Sequence, residues 1–112
     1  MDINERTVEG VRILDLVGRI ALAQGDARLK TRINDIIAQG TPKVLVNMAG
    51  VSYMDSAGLG ELLGAFTAVR GAGGAFKVMN APKRILDLLS ATKLLAVFEI
   101  FDSEPEAVRS FS

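Results

Sequence analysis

The chain has no cysteine and no histidine. Without cysteine there is no disulfide and no thiolate chemistry. Without histidine the commonest general base and the commonest zinc ligand are both missing. Excess charge is missing too. The 13 basic and 13 acidic side chains cancel, which argues against nucleic acid or an anionic membrane as the main partner. No run of like charges suggests a tail. No apolar run is long enough to span a bilayer. The start, Met1-Asp2-Ile3-Asn4-Glu5-Arg6, lacks the basic-then-apolar pattern of a signal peptide. These absences predict a soluble cytoplasmic protein.

What is present is apolar mass. Hydrophobic residues make up 49% of 112 positions, which is ample for a buried core and too apolar for disorder. One domain over residues 1–112 is expected, with no internal repeat, linker or low-complexity segment.

Two extended runs, 3–9 and 11–17, flank Glu9-Gly10 and predict a hairpin. Residues 26–39 read as a helix, because Leu29, Ile33, Ile36 and Ile37 form one stripe. Gly25-Asp26 can open it and Gly40 can close it. Residues 43–48 are a β-branched run typical of a buried strand. A helix is predicted over 57–70 and a turn at Gly71-Ala72-Gly73-Gly74. A third apolar strand follows over 75–79. Asn80-Ala81-Pro82 is expected to start the next helix, with Pro82 in its first turn. Residues 96–101 read as the last strand. Ser103-Glu104-Pro105-Glu106 reads as a capping box opening a short terminal helix. Such alternation calls for an α/β fold: a mixed, mostly parallel sheet after an antiparallel hairpin, with helices packed against it.

The chain is organised around Val44 to Val69: a strand, the turn Met54-Asp55-Ser56-Ala57-Gly58, then a helix. In that helix Leu59, Leu62, Leu63, Phe66 and Val69 form a core stripe. Ala57, Gly60, Gly64 and Ala68 form a second stripe of small residues. Glycine costs roughly 1 kcal/mol against alanine inside a helix. Gly60 and Gly64 therefore need a reason: either close packing on the sheet, or another surface docking on a nearly bare backbone.

Asp55 or Ser56 can cap the helix, and a cap alone is the plainest reading of Ser56. Three enzymatic readings compete. The turn resembles a nucleophile elbow, but Met54 replaces the first glycine and no histidine can act as base. Gly58-Leu59-Gly60 through Gly64 has the look of a dinucleotide-binding run. The next strand, however, ends in Asn80 rather than an acid. A metal site would have only carboxylates, and Asp55 and Glu61 do not obviously converge. What remains is a phosphoacceptor at Ser56, because a helix N-terminus tolerates a phosphate well.

The octapeptide Tyr53-Met54-Asp55-Ser56-Ala57-Gly58-Leu59-Gly60 resembles the phosphorylation motif of the STAS-domain anti-sigma factor antagonists. The resemblance extends over nearly the whole chain, including Gly18, the Val44–Asn47 strand, the glycine turn at 71–74, Ala81 to Leu86 and Phe98 to Phe101. It implies a single STAS domain and a non-enzymatic switch protein without a cofactor of its own. The unphosphorylated form would bind an anti-sigma factor that is also a serine kinase, and so free a sigma factor. Phosphorylation at Ser56 would release it, and a serine phosphatase would reset it. The expected partner-binding set is Asp55, Ala57, Gly58, Gly60, Glu61 and Gly64, with Arg19 and Ala21 of the loop after the second strand.

That loop departs from the family. Many relatives read Gly, acid, aliphatic, Asp. Here it reads Gly18-Arg19-Ile20-Ala21, so the electrostatics near Ser56 differ. A basic Arg19 would suit a phosphate or a different kinase. The alternative function is a STAS interaction module of another complex, a sensory assembly or a lipid-transport system, without phosphoswitching.

Overall fold

The computed structural model describes residues 1–20, 28–40 and 42–112. The expectations placed on Ala21 and on Gly25-Asp26 lie outside the described residues. Strands β1 (Asp2–Val8) and β2 (Val11–Ile20) form the antiparallel hairpin. Glu9 and Gly10 between them both have positive φ, 51° and 80°. Two such residues match the right-handed twist of the flanking strands, as tight hairpins require.

From β2 the chain adds parallel neighbours one at a time: β3 (Lys43–Met54), β4 (Ala75–Met79) and β5 (Ile100–Phe101). The order across the sheet is β1-β2-β3-β4-β5. Helices α1 (Arg28–Ala38), α2 (Ser56–Gly71) and α3 (Lys83–Ala91) lie between successive parallel strands. Stepping always in one direction with one crossover hand puts all three helices on the same face. The core agrees. Leu29 and Ile33 of α1, Leu59 and Leu62 of α2, and Ile85 and Leu89 of α3 share one cluster with Leu14, Val46 and Val78 of the strands. The alternate strand residues Ile13, Leu45 and Met79 face the other way. There they meet Ala107 and Val108 of the short α4 (Glu104–Arg109). Ser103 caps α4, its Oγ accepting from the Glu106 N–H at 3.3 Å.

Beyond α4 this second face is polar. The Asp15 carboxylate accepts from Arg6 Nε at 2.7 Å, from Arg6 Nη2 at 3.1 Å and from Asn47 Nδ2 at 2.8 Å. Arg6 also reaches Glu104 at 2.7 Å, which ties β1 and β2 to α4.

Four expectations need correction. The strand expected over 43–48 continues to Met54. Its pairing with β2 slips between Asp15 and Val17 and again between Gly18 and Arg19. These bulges let Ala49 and Gly50 stay extended instead of turning, and they add twist just ahead of Ser56. The strand expected over 96–101 keeps only Ile100–Phe101. Upstream, the Phe98 ring drops into a cluster with Phe66 and Phe76, at centroid distances of 5.3 and 6.2 Å. A turn closed by the Val97 N–H on the Leu94 carbonyl puts it there. The helix expected from Asn80 begins at Lys83, with Pro82 as its N-cap residue rather than in its first turn. The α2 helix is one residue longer at each end than the 57–70 expected.

Candidate functional site

The site is built where β2 and β3 end and α2 begins. Ile20 and Met54 are paired and buried. The Asp55 N–H donates to the Ile20 carbonyl at 3.2 Å, which ends the strand pairing. Asp55 is extended (φ −95°, ψ 179°), and its Oδ1 accepts from the Gly58 N–H at 2.7 Å. Asp55 is therefore the N-cap.

Ser56 is then the first helical residue. It is exposed, and its hydroxyl makes no hydrogen bond to the described residues. The N–H groups of Ser56 and Ala57 likewise meet no acceptor among the described residues. Among the described residues, the turn thus presents a hydroxyl and two backbone donors without partners at the positive end of a helix 16 residues long.

The glycines separate cleanly. A Cβ on Gly58 would lie 2.2 Å from the Ile20 carbonyl oxygen. No side chain fits there, so Gly58 is what lets α2 rest on the end of β2. It is buried and offers a visitor nothing. Sequence reasoning put it on the partner-facing set. Its phase held the contrary signal, because Gly58 stands four residues before the buried Leu62. A Cβ on Gly60 or Gly64 would meet nothing within 4 Å. Close packing on the sheet is therefore not what selects them.

Ala57, Gly60, Gly64 and Ala68 are all exposed. Gly60, Gly64 and Ala68 line one side of a shallow groove of about 250 Å³, with Lys30 and Asn34 of α1 on the other. Glu61, half-buried, lines it too. The structure thus brings Ser56 and the small-residue stripe onto one helix, with Glu61 beside them.

Arg19 stands at the end of β2, paired with Tyr53, and its guanidinium lies 4.5 Å from the centre of the Tyr53 ring. The pair precedes the buried Ile20–Met54 pair by one residue, so it projects from the opposite sheet face. A second arginine, which the sequence did not suggest, reaches the same strand from the α3 side. Arg84, in the first turn of α3, sends Nη1 to within 3.5 Å of the Ser52 carbonyl oxygen. Nothing local in Lys83-Arg84-Ile85 foretells this, since the contact depends on where α3 lies against β3.

Among the described residues no group of three or more His, Cys, Asp or Glu could hold a metal ion. Among them, too, no helix is long and apolar enough to cross a membrane.

The chain is similar to the anti-sigma-B factor antagonist of Bacillus subtilis, at 33% identity over 72 residues. That match covers 64% of this chain and spans 65% of the relative's length. A crystal structure of a candidate anti-sigma factor antagonist from Thermotoga maritima superposes with a TM-score of 0.88, at 21% identity. It covers 97% of this chain and 93% of that one. The Bacillus cell fate determinant SpoIIAA in its phosphorylated form superposes with a TM-score of 0.76, at 18% identity. It covers 99% of this chain and all of that one. At those identities the two structures speak to the fold. The STAS domain family matches residues 2–107. With its five-stranded mixed sheet and the helix that starts at Ser56, the chain belongs to the STAS domain family.

Proposed function

We propose that this protein is an anti-sigma factor antagonist switched by phosphorylation of Ser56. Unphosphorylated, it binds an anti-sigma factor that is also a serine kinase, and so frees a sigma factor. The kinase transfers the terminal phosphate of ATP to the Ser56 hydroxyl and ADP leaves. The modified protein then lets go. A serine phosphatase hydrolyses the phosphate and resets the cycle.

The observation that carries this reading is the division of labour at the α2 entrance. Asp55 caps the helix, which leaves the Ser56 hydroxyl exposed and without a hydrogen bond among the described residues. A serine that served only as a cap would have its oxygen on the N–H of a following residue. A phosphate on Ser56 adds about −1.5 to −2 charges at pH 7. The helix end stabilises that charge, so the fold survives. The docking face does not survive unchanged, because a dianion stands at the head of the stripe formed by Ala57, Gly60 and Gly64. A partner whose apolar or acidic surface lies flush on that stripe is expelled. The reading is supported by the relative named as an anti-sigma-B factor antagonist and by SpoIIAA, which has a phosphorylated form.

The family role is a binding module rather than a catalyst, and the protein is a substrate in its own cycle. The deciding experiment is incubation with an anti-sigma factor serine kinase and ATP, followed by mass spectrometry of the tryptic peptide containing Ser56. A mass increase of one phosphoryl group on that peptide, absent in Ser56→Ala, is expected. Phosphate on any other residue, with Ser56 unmodified, refutes the assignment.

A further inference from the structure

We infer that Arg19 and Arg84 form a basic rim at the strand end before Ser56, and that this rim receives a carboxylate-rich surface of the docking partner. The inference rests on the partner-binding reading above and specifies the chemistry of the partner.

Both guanidiniums converge on one short segment. Arg19 stacks on Tyr53, and Arg84 reaches the carbonyl of Ser52. Those two residues lie three and four positions before Ser56. Both arginines are exposed. Neither has a carboxylate within ion-pair distance among the described residues; this is shared by other exposed cations such as Lys43 and Lys93, so what sets the pair apart is that both reach the segment just before Ser56. The nearest acid in sequence, Asp55, has an oxygen committed to the Gly58 N–H.

Stacking holds the Arg19 head in place before any partner arrives, which reduces the entropy lost when a carboxylate is bound. Arginine also offers a planar fork matched to carboxylate geometry. Among the described residues neither cation has an acidic partner, and in a chain with no net charge they make the strand end before Ser56 locally basic. Charge of this kind acts mainly on the rate of encounter and on the choice of partner.

The test uses the full chain, unphosphorylated, and a purified anti-sigma factor serine kinase, with association followed by stopped flow over a salt series. Arg19→Glu/Arg84→Glu is expected to slow association about tenfold or more at low ionic strength and to remove most of the salt dependence. Arg19→Gln/Arg84→Gln is expected to fall between that variant and wild type. Lys43→Glu/Lys93→Glu changes the net charge equally. Lys43 is exposed at the opposite end of β3 from Ser56, and Lys93 lies beyond the far end of α3 from Arg84. This control is expected to stay within about twofold of wild type. Equal loss in both charge-reversed variants overturns the rim, because the effect then belongs to net charge. Wild-type association rates in the Arg19/Arg84 variants, with matching melting temperatures, overturn it as well and leave the partner-binding reading standing. Absence of any wild-type binding overturns that reading, and the rim with it.

Discussion

The Asp55 carboxylate holds the Gly58 N–H at 2.7 Å across the first turn of α2, and by doing so it releases Ser56 from structural duty. Two consecutive polar residues at a helix entrance divide the work, one holding the helix and one left available. Asp55→Ala is expected to destabilise the fold by about 1 kcal/mol, a drop in melting temperature of roughly 4–8 °C for a chain of this size. Ser56→Ala is expected to leave the melting temperature within about 2 °C of wild type, as for a surface change away from any cap or core. Thermal unfolding followed by circular dichroism reads both. A larger drop for Ser56→Ala than for Asp55→Ala would reverse the assignment.

Gly58 should behave oppositely to Gly60 and Gly64 of the same helix. Gly58→Ala places a Cβ against the backbone oxygen of Ile20, which cannot move aside as a flexible side chain could. A loss of about 1–3 kcal/mol is expected from such overpacking. Gly60→Ala and Gly64→Ala place a methyl in open space and remove a flexible residue from a helix. Each is expected to stabilise by roughly 0.5–1 kcal/mol. Gly64→Leu, still stable, is expected to weaken partner binding by filling the groove beside Lys30 and Asn34. Denaturant titration and a pull-down with the kinase check the two halves separately. Unchanged binding by Gly64→Leu would sink the docking role of the stripe.

Much of this was legible because the controlling pattern is periodic. The stripe from Leu59 to Val69 gives α2 and its buried face, and strand–helix alternation gives a mostly parallel sheet. What escaped reading is tertiary. Ala96 to Glu99 has the composition of a strand, yet Phe98 gains more by entering a ring cluster with Phe66 and Phe76 than by pairing beside β4. The choice between those two is made by residues some twenty to thirty positions away. Gly50 has the look of a stop. It continues β3 because bulged pairing with β2 absorbs it. At the site, the serine, a cap at either Asp55 or Ser56 and the small-residue stripe were visible in the sequence; which of the two residues caps, and that Ser56 is exposed, came from the structure. Nor was Arg84 visible, since its neighbour Ser52 is separated from it by a helix and a strand.

The face opposite α1–α3 supplies a pH prediction. Hydrogen bonds from Arg6 first, and from Asn47, favour the ionised carboxylate of Asp15 and hold its pKa below the ordinary value, against the opposing effect of burial. The partner Arg6 stays charged throughout. A carboxylate depressed in the folded state binds fewer protons there than in the unfolded chain. Its stabilisation is therefore complete above the unfolded value, near about 4, and is lost as pH falls through the folded value. Asp15→Asn is expected to be less stable than wild type at pH 7, and the gap should narrow as pH falls below about 4. Urea unfolding from pH 7 to pH 3 measures it. A gap that stays constant across that range would contradict the pairing.

Replacement of Ser56 by aspartate separates charge at the site from damage to the fold. The helix end offers the N–H groups of Ser56 and Ala57, which meet no acceptor among the described residues, and an acid in the first turn of a helix is stabilising by about 0.3–1 kcal/mol. Ser56→Asp should therefore melt at or slightly above the wild-type temperature while binding its kinase partner more weakly. Aspartate carries one charge where phosphate carries nearly two, so the loss in affinity should be smaller than that caused by phosphorylation itself. Ser56→Ala, with neither charge nor hydroxyl, should bind as well as wild type and resist release by ATP. Calorimetry on the three forms gives the order: Ala equal to Ser, Asp weaker, phosphoserine weakest. If Ser, Asp and phosphoserine forms bound alike, repulsion at the helix mouth could not be what ends the complex, and release would have to come from a change elsewhere in the fold.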